Sequence, residues 1–193
     1  DHILLIVLTL LSLSVVVAAR GHRQRLTAFS CIICVVLSVV FSQALTFILN
    51  AVFFRPRPFT VHQVNLLFYY ATDSSFPSSA AGVAFAQAFA VFLYRRRTGA
   101  VMLALALYLG FCRVMVGAHY PLDILAGMTV GVLAALALWR MPGKAARLLR
   151  GMALIFLPLP PSIHALAWMA AVQGLNTLLA SLGMPEIRLM GWA

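Results

Sequence analysis

Arg113 is followed after five residues by His119, and His119 after three more by Asp123. Pro121 lies between them and suits the first turn of a helix, where its missing N–H costs nothing. His119 then stands just ahead of that helix, and Asp123 on its first turn is expected to reach back to one imidazole nitrogen. A carboxylate so placed fixes the tautomer and leaves the other nitrogen free to attack. Upstream, Arg55-Pro56-Arg57-Pro58 carries two guanidinium groups. With Arg113 they can bind phosphate oxygens bidentately, which lysine does less well. Ser78 and Ser79 follow Pro77 where a helix is expected to begin. Their hydroxyls and the unpaired backbone N–H groups of a first turn would form an anion site. Each segment also has an ordinary reading: a stiff turn at a membrane boundary, a common helix start, an interfacial histidine. Asp73 and Ser74 read simply as a turn. It is the conjunction that points to displacement at phosphorus.

The rest of the sequence must bring these segments together. Of its 193 residues, 63% are hydrophobic and only 9% are charged, too few to cover a soluble domain. Apolar runs occupy 3–19, 26–54, 80–94, 98–116 and 120–139, close to the ~20 residues that a helical span requires. An all-α, polytopic transmembrane helix bundle of five or six spans is expected, forming one membrane-embedded domain over 1–193. Residues 55–79 form a polar stretch that carries Pro56, Pro58 and Pro77, and read as a loop or short surface helices. Within 151–193, a Pro-Leu-Pro-Pro interruption precedes 163–182, which carries His164, Gln173 and Asn176. That stretch reads either as a sixth span or as an interfacial helix. The abrupt apolar start at Asp1 suggests that residues upstream are missing.

A net charge of +10 would suggest nucleic acid in a soluble chain, but here it flanks apolar runs. Arg20, Arg23 and Arg25 follow the first run, Arg95 to Arg97 the third, and Arg140, Lys144, Arg147 and Arg150 the fifth; these make ten of the fourteen Lys and Arg. The positive-inside rule puts that side in the cytoplasm and makes the chain a multi-pass membrane protein. Arg55, Arg57 and Arg113 fall on the opposite, non-cytoplasmic face, where topology gives arginine no purpose. Cys31, Cys34 and Cys112 lie in apolar runs without metal-ligand spacing, so packing is expected of them. Neither a metal nor another cofactor is expected, and the partners are the bilayer and a lipid substrate, not nucleic acid.

In this order the segments resemble the signature of the type 2 phosphatidic-acid phosphatase superfamily. Its pattern is a lysine six residues ahead of Arg-Pro, then Pro-Ser-Gly-His, then Ser-Arg with His and Asp at the spacing above. The corresponding residues here are Asn50 ahead of Arg57-Pro58, then Pro77-Ser78-Ser79-Ala80, then Cys112-Arg113 with His119 and Asp123. The resemblance implies metal-independent hydrolysis of a lipid phosphate through a phosphohistidine. His119 would attack, Asp123 would stabilise the imidazolium, and Arg57, Arg113, Ser78 and Ser79 would hold the phosphate oxygens. Asn50 replaces a cationic contact, and Arg55 would meet a second phosphate or the headgroup zone. Ala80 stands where the family has the histidine that protonates the leaving oxygen. General acid catalysis is worth about a hundred- to ten-thousandfold, so the chain is expected to be impaired. Either Ala80 was introduced deliberately, or this is a natural homologue that binds without turnover. The stretch 73–78, Asp-Ser-Ser-Phe-Pro-Ser, looks most like that of bacterial undecaprenyl-diphosphate phosphatases, a resemblance that implies the plasma (inner) membrane. Phosphatidylglycerophosphate or phosphatidate phosphatases and a catalytically dead lipid-phosphate binder are the alternatives.

Overall fold

A computed structural model describes residues 2–61 and 73–140. Helices account for the five apolar runs: α1 (His2–Val17), α2 (His22–Val52), the one-turn α3 (Pro58–Val61), α4 (Ser79–Tyr94), α5 (Arg96–Met115) and α6 (Pro121–Trp139). No strand occurs among the described residues. Three of the helices, α2, α5 and α6, are long and apolar enough to cross a membrane, while α1 and α4 are shorter apolar helices. The 163–182 stretch, residues 62–72 of the polar loop, and Lys144, Arg147 and Arg150 lie outside the described residues.

Helix ends fall where the local chemistry breaks the pattern. Pro58 and Pro121 each open a helix, as a residue without an N–H can. Arg95 adopts an extended conformation between α4 and α5, φ −135° and ψ 94°. Gly117 turns the chain back from α5 towards α6 with φ 70°, a conformation that side chains disfavour.

The bundle is built around α4, which packs against α6, α2 and α5, with α1 lying alongside α2, α4 and α5. Ten of its residues are buried, from Ala81 to Val91, and most are alanine, glycine or valine. Small side chains let neighbouring backbones approach, which substitutes for the hydrophobic drive that lipid does not supply. The closest approach is to α6. A Cβ on Gly127 would lie 2.4 Å from the Ser78 carbonyl oxygen, and one on Gly131 would lie 2.4 Å from that of Gly82. Glycine spaced by four therefore joins α6 to α4 without intervening side chains. On the outside, Phe41, Ile48, Tyr108, Phe111 and Leu125 are all exposed. Apolar surface distributed over several helices is what an all-α membrane bundle presents to lipid.

The alternating helix directions sort the charges. Arg20, Arg23, Arg25, Arg95, Arg96, Arg97 and Arg140 gather at one end, where α1, α4 and α6 finish. The other end carries the last turns of α2 and α5, α3, and the first turns of α4 and α6. Every candidate site residue is there.

Candidate active site

His119 occupies the loop between α5 and α6 and is only 2% exposed. Its Nδ1 lies 2.8 Å from the carbonyl oxygen of Ser75. A carbonyl can only accept, so Nδ1 carries the proton. Its Nε2 lies 2.9 Å from a guanidinium nitrogen of Arg113 and 3.2 Å from one of Arg57. Guanidinium groups can only donate, so Nε2 presents a lone pair. The surroundings thus select one neutral tautomer, with its basic nitrogen facing two cations. Burial, then Arg113 and Arg57, push the imidazole pKa down from 6.5 to about 2, against the opposing effect of the Ser75 carbonyl. At neutral pH the ring is uncharged.

The two arginines are positioned differently. Arg113 projects from the last turn of α5 and is half-buried. Arg57 is 6% exposed and is held on three sides. Its Nε donates to the Asp73 carbonyl, one terminal nitrogen to the Asp73 carboxylate at 2.8 Å, and the other to the Ala118 carbonyl at 3.3 Å. Asp73 is 60% exposed, so this ion pair orients the guanidinium and adds little stability.

Asp123 is fully buried on the first turn of α6. The sequence suggested that it would hold His119 directly. The structure corrects this: its Oδ2 lies 3.9 Å from Nδ1, beyond hydrogen-bonding distance. That oxygen instead accepts the Tyr120 N–H at 2.9 Å and the Ser75 hydroxyl. The backbone geometry of the helix start turns the carboxylate onto its own first N–H, and Ser75 fills the gap. Ser75 therefore joins the pair, its carbonyl on His119 and its hydroxyl on Asp123. Its one mark in the sequence was its place in the Asp-Ser-Ser-Phe-Pro-Ser stretch, which assigned it no role.

Arg55 is tied to the same carboxylate. Its guanidinium binds the other oxygen of Asp123 at 2.9 Å and lies 4.0 Å from the centre of the Tyr120 ring. It neutralises the buried carboxylate.

Ser78 caps α4, its hydroxyl accepting the Ala81 N–H at 3.4 Å, while its own N–H donates to the Asp123 carbonyl at 3.0 Å. Ser78 thus ties the start of α4 to α6. Ser79 and Ala80 follow in the first turn and are half-buried. Asn50, on the last turn of α2, has a buried Oδ1 without a hydrogen-bond partner among the described residues. The loop behind the site is pinned by Ser74, whose hydroxyl accepts the Arg55 N–H and meets the Phe53 and Phe76 carbonyls, and by the Ser75 N–H donating to Arg55. No cluster of three metal-type side chains occurs among the described residues.

Such an arrangement can attack an electrophile that carries several negative oxygens. Known proteins share its pattern. Residues 31–147 match the model of the PAP2 superfamily. Undecaprenyl-diphosphatase BcrC of Bacillus subtilis is 34% identical over 96 residues, covering 50% of each chain. The bacitracin transport permease protein BcrC of Bacillus licheniformis is 37% identical over 113 residues, 58% of this chain and 56% of that one. A lipid A 1-phosphatase of Rhizobium etli is 40% identical over 101 residues, 49% of this chain and 43% of that one. The chain spans about half the length of these curated relatives. Among solved structures, Aquifex aeolicus LpxE superposes with a TM-score of 0.51 at 28% identity, over 54% of this chain and 64% of that one.

Proposed function

The chain belongs to the PAP2 superfamily, and from that premise we propose that it is a lipid phosphatase that converts undecaprenyl diphosphate to undecaprenyl phosphate. The observation that carries the reading is the environment of His119: a lone pair on Nε2 with two guanidinium groups beside it. In the first step Nε2 forms a bond to the terminal phosphorus as the anhydride P–O bond breaks. The electron pair leaves on the oxygen of undecaprenyl phosphate. Arg57 and Arg113 bind the equatorial oxygens, where charge shifts in the transition state. The phosphorylated imidazole is cationic, and the buried Asp123 carboxylate 3.9 Å away stabilises it. Water then attacks phosphorus, the N–P bond breaks, and the pair returns to Nε2.

Ala80 bears on the choice of substrate. A monoester expels an alkoxide, whose conjugate acid resembles water with a pKa of about 16, and so needs a proton donor. A diphosphate expels a phosphate whose second pKa is about 6 and can leave unprotonated. A site with alanine where the family has histidine is therefore better matched to the anhydride. The names of the Bacillus subtilis relative and of the Rhizobium etli relative bracket these two classes. The non-cytoplasmic face of the plasma membrane remains part of this proposal, supported by the separation of the basic end from the site.

Phosphate release from undecaprenyl diphosphate and from phosphatidate tests it, using the chain and its Ala80→His variant. Histidine should raise monoester turnover by about a hundredfold or more and diphosphate turnover by much less, and His119→Gln should abolish both. Absence of phosphate release from either lipid, in either chain, would move the reading to a non-catalytic lipid-phosphate binder.

A further inference from the structure

The basic end of the bundle holds a second feature that the phosphatase reading does not use. A cavity of about 310 Å³ opens between α1, α2 and the end of α4. Its buried wall is Val15, Ala28 and Cys31, and its charged lining is Arg23 and Arg95. Specific pockets run from about 300 to 1,000 Å³, so this one suits a headgroup and not a whole lipid. Seven arginines gather at this end. The carboxylates among the described residues are Asp73 and Asp123, and both are bound by arginines at the opposite end. The two guanidiniums lining the cavity therefore have no carboxylate of the described chain close by.

We propose that this cavity binds the phosphate headgroup of an anionic membrane lipid, Arg23 and Arg95 taking the phosphate and the apolar wall the glycerol and first methylenes. A lipid is favoured over a soluble anion because the cavity pairs charge with an apolar wall at the end of helices whose flanks face lipid. Basic pockets between membrane helices are used in this way. The site is separate from the catalytic loop, lying beyond the length of α4.

Thermal-shift titration of the purified chain in detergent micelles tests the proposal, with phosphatidylglycerol, phosphatidylcholine or inorganic phosphate added. Phosphatidylglycerol alone should stabilise. Two arginines at about one kcal/mol each correspond to about thirtyfold in apparent affinity, so Arg23→Gln/Arg95→Gln should bind that much more weakly. Arg25→Gln/Arg97→Gln removes the same charge from exposed positions outside the cavity, and should change affinity less than about threefold. Thr27→Tyr, at an exposed lining position, fills the cavity with no change of charge and should also weaken binding. Equal losses in the two arginine pairs, unchanged binding in Thr27→Tyr, equal stabilisation by phosphatidylcholine, or equal stabilisation by phosphate alone would each overturn it.

Discussion

Replacing Ser75 by alanine separates a histidine held directly by a carboxylate from one joined to it through a third residue. Ser75 and Asp123 are both fully buried, and the hydroxyl donates to a carboxylate oxygen. A hydrogen bond to a charged group is worth about 1.5–3 kcal/mol. Asp123 would keep its bonds to Arg55 and to the Tyr120 N–H, both at 2.9 Å. Ser75→Ala should therefore cost about 2 kcal/mol, or roughly 4–8 °C in apparent melting temperature for a chain of this size. The Ser75 carbonyl is backbone and survives, so the tautomer of His119 persists and the loss of turnover should stay within about tenfold, as one charge-assisted bond allows. The informative measurement is the cycle with Asp123→Asn, followed by thermal unfolding in micelles and by phosphate release. Residues in one network couple by about 0.5–3 kcal/mol. The double variant should accordingly lose less than the sum of the singles. Additivity within about 0.5 kcal/mol, with Ser75→Ala alone harmless, would refute the three-residue connection and restore a direct contact.

Other consequences are simpler to state. Arg55→Ala should reduce diphosphate and monophosphate turnover by the same factor, because its guanidinium is bound to Asp123; selective loss on the diphosphate would show that it meets the second phosphate. The folded pKa of His119, about 2, lies below the unfolded value of about 6.5, so between them the unfolded chain binds the extra proton. Stability is then fully present above pH 6.5 and should fall on acidification with a slope of up to about 1.4 kcal/mol per pH unit. His119→Gln should remove one proton from that slope, and an unchanged pH profile of unfolding would exclude the assignment. Gly127→Ala gains helix propensity but drives a methyl against the Ser78 carbonyl. The clash should win, with a net loss of about 1–3 kcal/mol, read as a lower melting temperature and weaker turnover together.

How much could be seen beforehand depended on how local each feature is. The apolar runs became α1, α2, α4, α5 and α6 because arginine clusters, prolines or, after α5, Gly117 break each one within the chain itself. The spacing of Arg113, His119 and Asp123 was readable for the same reason, as was Pro121 at the start of α6. Ser75 was not, because its partners lie 44 and 48 residues away and a serine in a polar loop has no period or spacing to mark it. The direct His119–Asp123 contact failed on a detail of helix starts: a carboxylate on the first turn is drawn to the N–H at the cap. The bond from Arg55 to Asp123 was not legible, because the buried charge that holds it could be found only in three dimensions. Asp73, taken for a turn, proved to anchor Arg57 from across the loop.

The glycine seam between α4 and α6 has a bearing on what the protein can accept. Main chain rests on main chain at Gly127 and Gly131, which fixes the spacing of α4 and α6 beside the site. On the proposed function, phosphorus would meet a site whose width is set by these two backbones. The outer flanks are unconstrained in this way: Phe47, Ile48, Tyr108 and Phe111 face outwards at 40–61% exposure. Hydrocarbon of different lengths and degrees of branching can slide along them. Strict head and permissive tail would be written into the same bundle, one by touching backbones and the other by side chains with room to turn.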